Sequence, residues 1–288
     1  MTTQPTQVQA PLCTLGEGPV WDGRDQSLYW VDILESRVHR MAADGSFSSW
    51  DTGQPVGAVV PRASGGLVVA VRDGFMALDP VSGTLTTLAE VEKDRPGNRM
   101  NDGSCDRAGR FYAGTMAFDE SPEAGALYRL DPDLSVTTLI TGVGTSNGIG
   151  WSPDERLMYY VDSQAHSVDV FDYDPATGQI GGRRPFKAVG EGGGVGEVDV
   201  VPDGLTVDAE GGVWVAVWEG YALLHHDPAG QLIGIVELPA ARVTSCVFGG
   251  PDLDRLYITT AEGPGESGGA LFVCEPGVTG QPSHPFRG

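Results

Sequence analysis

A strand-like segment recurs six times along the chain, and this repetition narrows the fold more than any other feature. The segments read LYWVD from Leu28, LVVAV from Leu67, FYAGT from Phe111, LMYYVD from Leu157, VWVAVW from Val213 and LYITT from Leu256. Their starts are 39, 44, 46, 56 and 43 residues apart. That spacing suits four-stranded propeller blades, and the β-branched and aromatic make-up of the segments argues against two-helix repeats. A turn rich in Asp and Gly precedes each copy, as in WDGRDQS, SPDER and GPDLDR. A second short run follows and commonly ends in a turn such as LDPVSG, YDPATG or HDPAG, which is hairpin punctuation. The expected fold is all-β, a six-bladed β-propeller, with residues 1–288 as a single domain.

Composition agrees and removes several function classes. With 42 glycines and 20 prolines the chain turns often, and 40% apolar residues supply a core. The longest loop is expected over residues 181–202, where GEGGGVG reads as a flexible insertion and matches no dinucleotide fingerprint. A formal charge of -21 with 18 dispersed basic residues argues against a nucleic-acid partner, and most of the excess acid reads as solvated surface. Cys13, Cys105, Cys246 and Cys274 include no C-x-x-C pair and read as reduced, mostly buried thiols. His39, His166 and His284 share no ligand spacing, and His225-His226 reads as turn-flanking surface, so no imidazole zinc site is expected. The start MTTQPTQVQAP lacks the features of a signal peptide, and no apolar run is long enough to span a bilayer. Cytoplasmic residence and no membrane partner are the expectations. A closed ring needs no second chain, so a monomer is expected, with residues 7–12 adding a strand to the last blade.

Asparagine is rare, and its placement points to a site. Asn98, Asn101 and Asn147 are the three in the chain, and they fall in two loops at one phase of the repeat. Counting ten or eleven residues back from each segment reaches Glu17, Gly57, Asn101, Asn147, Asp203 and the pair Ser245/Cys246. Innermost strands of a propeller run along one central channel, so equivalent positions from different blades converge there. Four of these positions carry polar oxygens. Two carboxylates and amide oxygens are the donors that hard divalent ions prefer.

The segments LGEGPVW, NRMNDGSCDRAGRFYAGTM, SNGIGWSPDERLMYYVDS, PDGLTVDAEGGVWVA and TSCVFGGPDLDRLYITTA resemble the senescence marker protein/gluconolactonase/regucalcin family over five of the six blades. The resemblance implies one divalent metal ion held by Glu17, Asn147 and Asp203, the positions that the repeat phase also reaches. Calcium is the leading expectation, with zinc, manganese, magnesium or iron as alternatives. It implies sugar contacts at Arg99 and Asn101, and at Asp119, where the family often carries Glu. The implied reaction is hydrolysis of an aldonolactone, a sugar lactone, with Asp203 as metal ligand and base. Two alternatives remain open at this point: a non-catalytic calcium-binding propeller, and a metal-dependent esterase or phosphotriesterase.

Competing patterns carry less. Gly144 to Gly148 satisfies G-x-S-x-G, but a nucleophile elbow needs a helix afterwards, and here a strand segment follows Ser146. Trp21 and Trp151 each lie four residues after a candidate ligand, a repetition that suits blade packing. Arg99 has an alternative structural role as an ion-pair partner of Asp102 or Glu92.

Overall fold

Each of the six copies forms a four-stranded antiparallel sheet in the computed structural model, which describes residues 4–189, 200–265 and 267–288. Blade 1 comprises Gly16–Asp22, Ser27–Asp32, Arg37–Met41 and Phe47–Asp51. Blade 2 runs from Val56–Pro61 to Leu85–Glu90, blade 3 from Asn98–Cys105 to Val136–Val143, blade 4 from Ser146–Trp151 to Gln179–Ala188, and blade 5 from Val201–Val207 to Leu232–Glu237. Blade 6 contributes Val243–Gly249, Arg255–Thr260 and Phe272–Cys274, and takes its outer strand, Thr6–Gln7, from the far end of the chain. This is a six-bladed β-propeller, as expected. The latch strand is shorter than expected and begins earlier, at Thr6, with Val8 adding one more bond to Leu271. Among the described residues no helix is long and apolar enough to cross a membrane.

The core lies between blades. The second strands are apolar on both faces and are buried throughout in blades 1, 2 and 3, because each blade packs on two neighbours. Outer strands show the opposite pattern, with Phe47–Asp51 and Leu85–Glu90 largely open to water. The repeated tryptophans are packing residues. Trp21 of blade 1 stacks on Tyr257 of blade 6 with centroids 5.9 Å apart, and Trp151 lies edge-on between Tyr112 and Tyr173.

Two expectations fail. The first part of the expected long loop is strand, since Gln179–Ala188 pairs with Ser167–Asp174 as the edge of blade 4. Glycines and Pro185 hide that strand, and GEGGGVG itself lies outside the described residues. The histidine pair is not at the surface. His226 is 1% exposed, and His225 stacks on Trp214 with centroids 3.8 Å apart while its Nε2 sits 3.0 Å from Asp208. Adjacent strand residues face opposite sides, and both sides of this strand are covered.

Residues 279–288 cross the mouth of the channel at the end where inner strands turn into second strands. Ala209 donates to Thr279, and Gly280 donates to Leu253. The Gln281 side-chain amide donates to the carbonyls of Trp151 and Val207. Phe286 then exchanges bonds with Pro61 and Ala63, and Arg287 donates to Gly109. The tail thus touches blades 6, 5, 4, 2 and 3, and its Phe286 ring is fully buried with Phe75 and Phe111. Deleting such a ring leaves a cavity and removes apolar burial. Phe286→Ala should lower unfolding free energy by about 3–5 kcal/mol, read from urea denaturation at a fixed pH.

Candidate active site

A bulge near the start of the inner strand sets each candidate side chain. The ladder shifts between Glu17 and Val20, Met100 and Gly103, Ser146 and Ile149, and Pro202 and Leu205. Such a shift re-aims a side chain that the regular pleat would direct into the blade. The glycine that follows serves a purpose beyond turning. A Cβ on Gly148 would stand 2.5 Å from the Leu205 nitrogen, and one on Gly204 would stand 2.2 Å from Ser245 Oγ. Glycine lets adjacent inner strands approach, which narrows the channel around the ligands.

Glu17, Arg99, Asn101, Asn147 and Asp203 line one cavity of about 660 Å³. All five are buried. Ser163 orients the Asn147 amide: Asn147 Nδ2 donates to Ser163 Oγ at 3.0 Å, and that hydroxyl donates to Pro202 O at 2.7 Å. Asn147 Oδ1 is left buried with no hydrogen-bond partner, and Asp203 Oδ1 is in the same condition. Glu17 Oε2 accepts from Gly18 N at 2.8 Å. Unpaired buried oxygens of this kind cost free energy unless something else satisfies them. Hard oxygens at a channel mouth fit a divalent cation.

Electrostatics favour the same ligand. Burial pushes the Asp203 carboxyl well above its ordinary value, and the charge of Asp102 adds to the rise. Glu17 is raised by burial and then by Asp203 and Asp102. Asp102, which the repeat phase passed over, is raised by burial to about 7 even though it accepts from Gly103 N at 2.6 Å. Arg99 is lowered by burial to about 10, against the pull of Glu17, Asp203 and Glu120. A cation among these carboxylates would stabilise their charged forms.

Arg99 does not take its structural alternatives. Its Nη1 donates to Met100 O and to Asn101 Oδ1, at 3.1 and 2.6 Å, and its guanidinium lies over Phe118. Glu92 instead accepts from Asn98, Tyr128 and Arg95. Asn101 is committed at both ends, since its Nδ2 donates to Ser146 O at 2.8 Å, so it steadies Arg99 within the cavity wall.

Asp119 is not brought to the cavity. Its carboxylate accepts from the backbone and hydroxyl of Ser121 in an exposed turn. The next residue, Glu120, adopts φ of 56° and lines the cavity in its place. Counting along the motif cannot register a left-handed residue that rotates the turn by one position. Sequence reasoning also missed the rim, where Leu34 and Phe118 are 51% and 45% exposed beside Met116 and Trp218.

Comparison with known proteins places this geometry. The sequence model of the SMP-30/Gluconolactonase/LRE-like region matches residues 15–262. Regucalcin of Gallus gallus is 40% identical over 291 residues, 95% of each chain, and regucalcin of Danio rerio is 41% identical over 288 residues, also 95% of each. A calcium-binding regucalcin from Agrobacterium tumefaciens superposes with a TM-score of 0.91 at 29% identity, covering 99% of this chain and 98% of its own. A gluconolactonase from Xanthomonas campestris shares the fold, with a TM-score of 0.76 at 23% identity over 96% and 95% of the two chains.

The buried acids make the metal-free protein sensitive to pH. Asp102 titrates near 3.8 when unfolded and near 7 when folded, so the folded state holds a proton that the unfolded state has released. The stability from that proton is complete below pH 3.8 and is lost as pH rises through about 7. Chelator-treated protein should therefore unfold at lower urea concentration at pH 8 than at pH 5, a change of up to a few kcal/mol. Asp102→Asn should flatten that dependence, and an unchanged slope would remove Asp102 as its source.

Proposed function

The chain belongs to the SMP-30/gluconolactonase/LRE-like family, and from that premise we propose that it hydrolyses a sugar aldonolactone to the aldonic acid with one divalent metal ion. The carrying observation is the pair of unpartnered buried oxygens, Asn147 Oδ1 and Asp203 Oδ1, in the same cavity as Glu17 and Arg99. Glu17, Asn147 and Asp203 would hold the ion. Calcium suits an all-oxygen set, while zinc, manganese, magnesium and iron accept the same donors. When bound, the ion supplies polarisation of the ester carbonyl and a more acidic water.

The remaining work falls to side chains. Asp203 accepts the proton of the attacking water. Arg99, held by Asn101, donates to the ring ester or to a hydroxyl, and burial keeps competing water away from it. Glu120 accepts from a sugar hydroxyl at the cavity wall, the role that the resemblance assigned to Asp119. The aldonate product is an anion, and a chain of formal charge -21 repels it. The ring closes within one chain, so the proposed active form is the monomer.

Proton release from glucono-, xylono-, arabino- and galactonolactone tests this reading against the spontaneous rate. Chelation should return the rate to that baseline, and Asp203→Ala should reduce kcat by roughly a hundred- to ten-thousand-fold. Full activity under chelator would sink the metal-dependent mechanism. Calcium binding without turnover of any lactone would move the chain to the class of binding platforms, and turnover of aryl esters or phosphotriesters alone would change the substrate. Losing one hydrogen bond to a charged group should make Glu120→Gln raise KM roughly tenfold, while Asp119→Asn leaves it unchanged. Equal effects in the two variants would return the sugar contact to an open question.

A further inference from the structure

Away from the cavity, where the closing N-terminal segment meets blade 1, Cys13, Asp32 and His39 bring one potential ligand atom each within 4.8 Å of one another. All three residues are buried, at 4%, 2% and 5% exposure. Their separations in sequence form no recognised metal motif. The fold assembles them from the segment before blade 1, the end of Ser27–Asp32 and the middle of Arg37–Met41.

Internal repetition separates what the loop requires from what it does not. Asp32 accepts from Thr14 N and Leu15 N at 2.8 and 3.1 Å. In blade 4, 130 residues later, Asp162 accepts from Gly144 N and Thr145 N at 3.1 and 3.0 Å in the same way. The places of Cys13 and His39 are taken there by Val143 and Asp169. The aspartate therefore ties the loop in both blades, and those two backbone bonds form in blade 4 without a thiol or an imidazole beside them.

Their surroundings suit metal ligands. Ser49 Oγ lies 2.7 Å from His39 Nδ1, and in the tautomer in which Nδ1 donates to that hydroxyl, Nε2 offers its lone pair to an ion. Trp30 stacks on the imidazole with centroids 5.2 Å apart. Without a cation, burial holds the Cys13 thiol up at about 12, although a hydrogen bond from Trp30 pulls the other way by favouring thiolate. Sulfur, nitrogen and oxygen donors together are the choice of a borderline-soft ion and not of calcium.

We propose that Cys13, Asp32 and His39 form a second site, for a divalent cation of the zinc class, which clamps the closing segment of the ring to blade 1. Binding replaces the S–H bond with a sulfur–metal bond and releases the thiol proton to solvent, with Asp32 ionised and His39 neutral. Cys13 N also donates to Gly269 O of the last blade at 2.9 Å, so the ion would join three parts of the closure. This inference does not depend on the lactonase reading.

Cobalt(II) titration of the full chain tests it, in wild type and in Asp203→Ala, where the oxygen-only centre is disabled. Both proteins should develop a near-ultraviolet sulfur-to-cobalt charge-transfer band, and in Asp203→Ala, where no oxygen-only centre competes for the ion, it should saturate at one equivalent with release of one proton. Cys13→Ser and His39→Gln should abolish it. Oxygen ligands cannot produce this band, so loss of lactonase activity and loss of the clamp are read separately. Zinc should raise the melting temperature of Asp203→Ala and leave the Cys13→Ser/Asp203→Ala double variant unmoved. A wild-type protein of native circular dichroism that shows no band, or a band that survives Cys13→Ser, would overturn the proposal, as would equal zinc shifts in the two Asp203→Ala backgrounds.

Discussion

Three carboxylates, from Glu17, Asp102 and Asp203, are buried within interacting distance of one another, and Arg99 is the basic group among them. Withdrawing like charges from water is costly, and each acid here is driven toward its protonated form in consequence. An arrangement of this kind is stable as a set of neutral acids or as a set of anions around a cation. The inner strands of blades 1, 3, 4 and 5 hold it in place because their bulges turn the side chains inward and their glycines let the strands crowd together. The barrel of the ring provides the rigid frame on which the site relies.

Rigidity and specificity divide between two layers of the cavity. Asn147 is fixed by Ser163, and Arg99 by Asn101, so the polar floor has little freedom left. The rim carries Leu34 and Phe118 on connecting segments and Trp218 at the last position of its strand. Loops of this kind accommodate change more readily than the scaffold beneath them. A change at the rim can therefore alter what the cavity accepts without disturbing the floor.

The blades were readable from sequence because second strands are buried on both faces and so appear as dense apolar runs at a steady interval. The residues at the channel mouth were readable because symmetry converts one phase of a repeat into one place. What escaped notice lacked either property. Asp102 sits one step off the phase, and Glu120 reaches the cavity through a left-handed backbone that counting does not detect. His225 and His226 resemble surface residues until Trp214 and Asp208 are seen to cover the first and Phe186 to lie against the second. Cys13 and His39 give way to Val143 and Asp169 in blade 4, so the repeat does not mark the cluster they form with Asp32. The tail from Thr279 to Gly288 repeats nothing and forms no strand, so its docking could not be inferred.

That tail also bears on how the ring comes apart. It strings five blades together and anchors Phe286 beneath Phe75 and Phe111. Prising those blades from one another therefore begins with peeling the strap away, so the seams yield together and not one at a time.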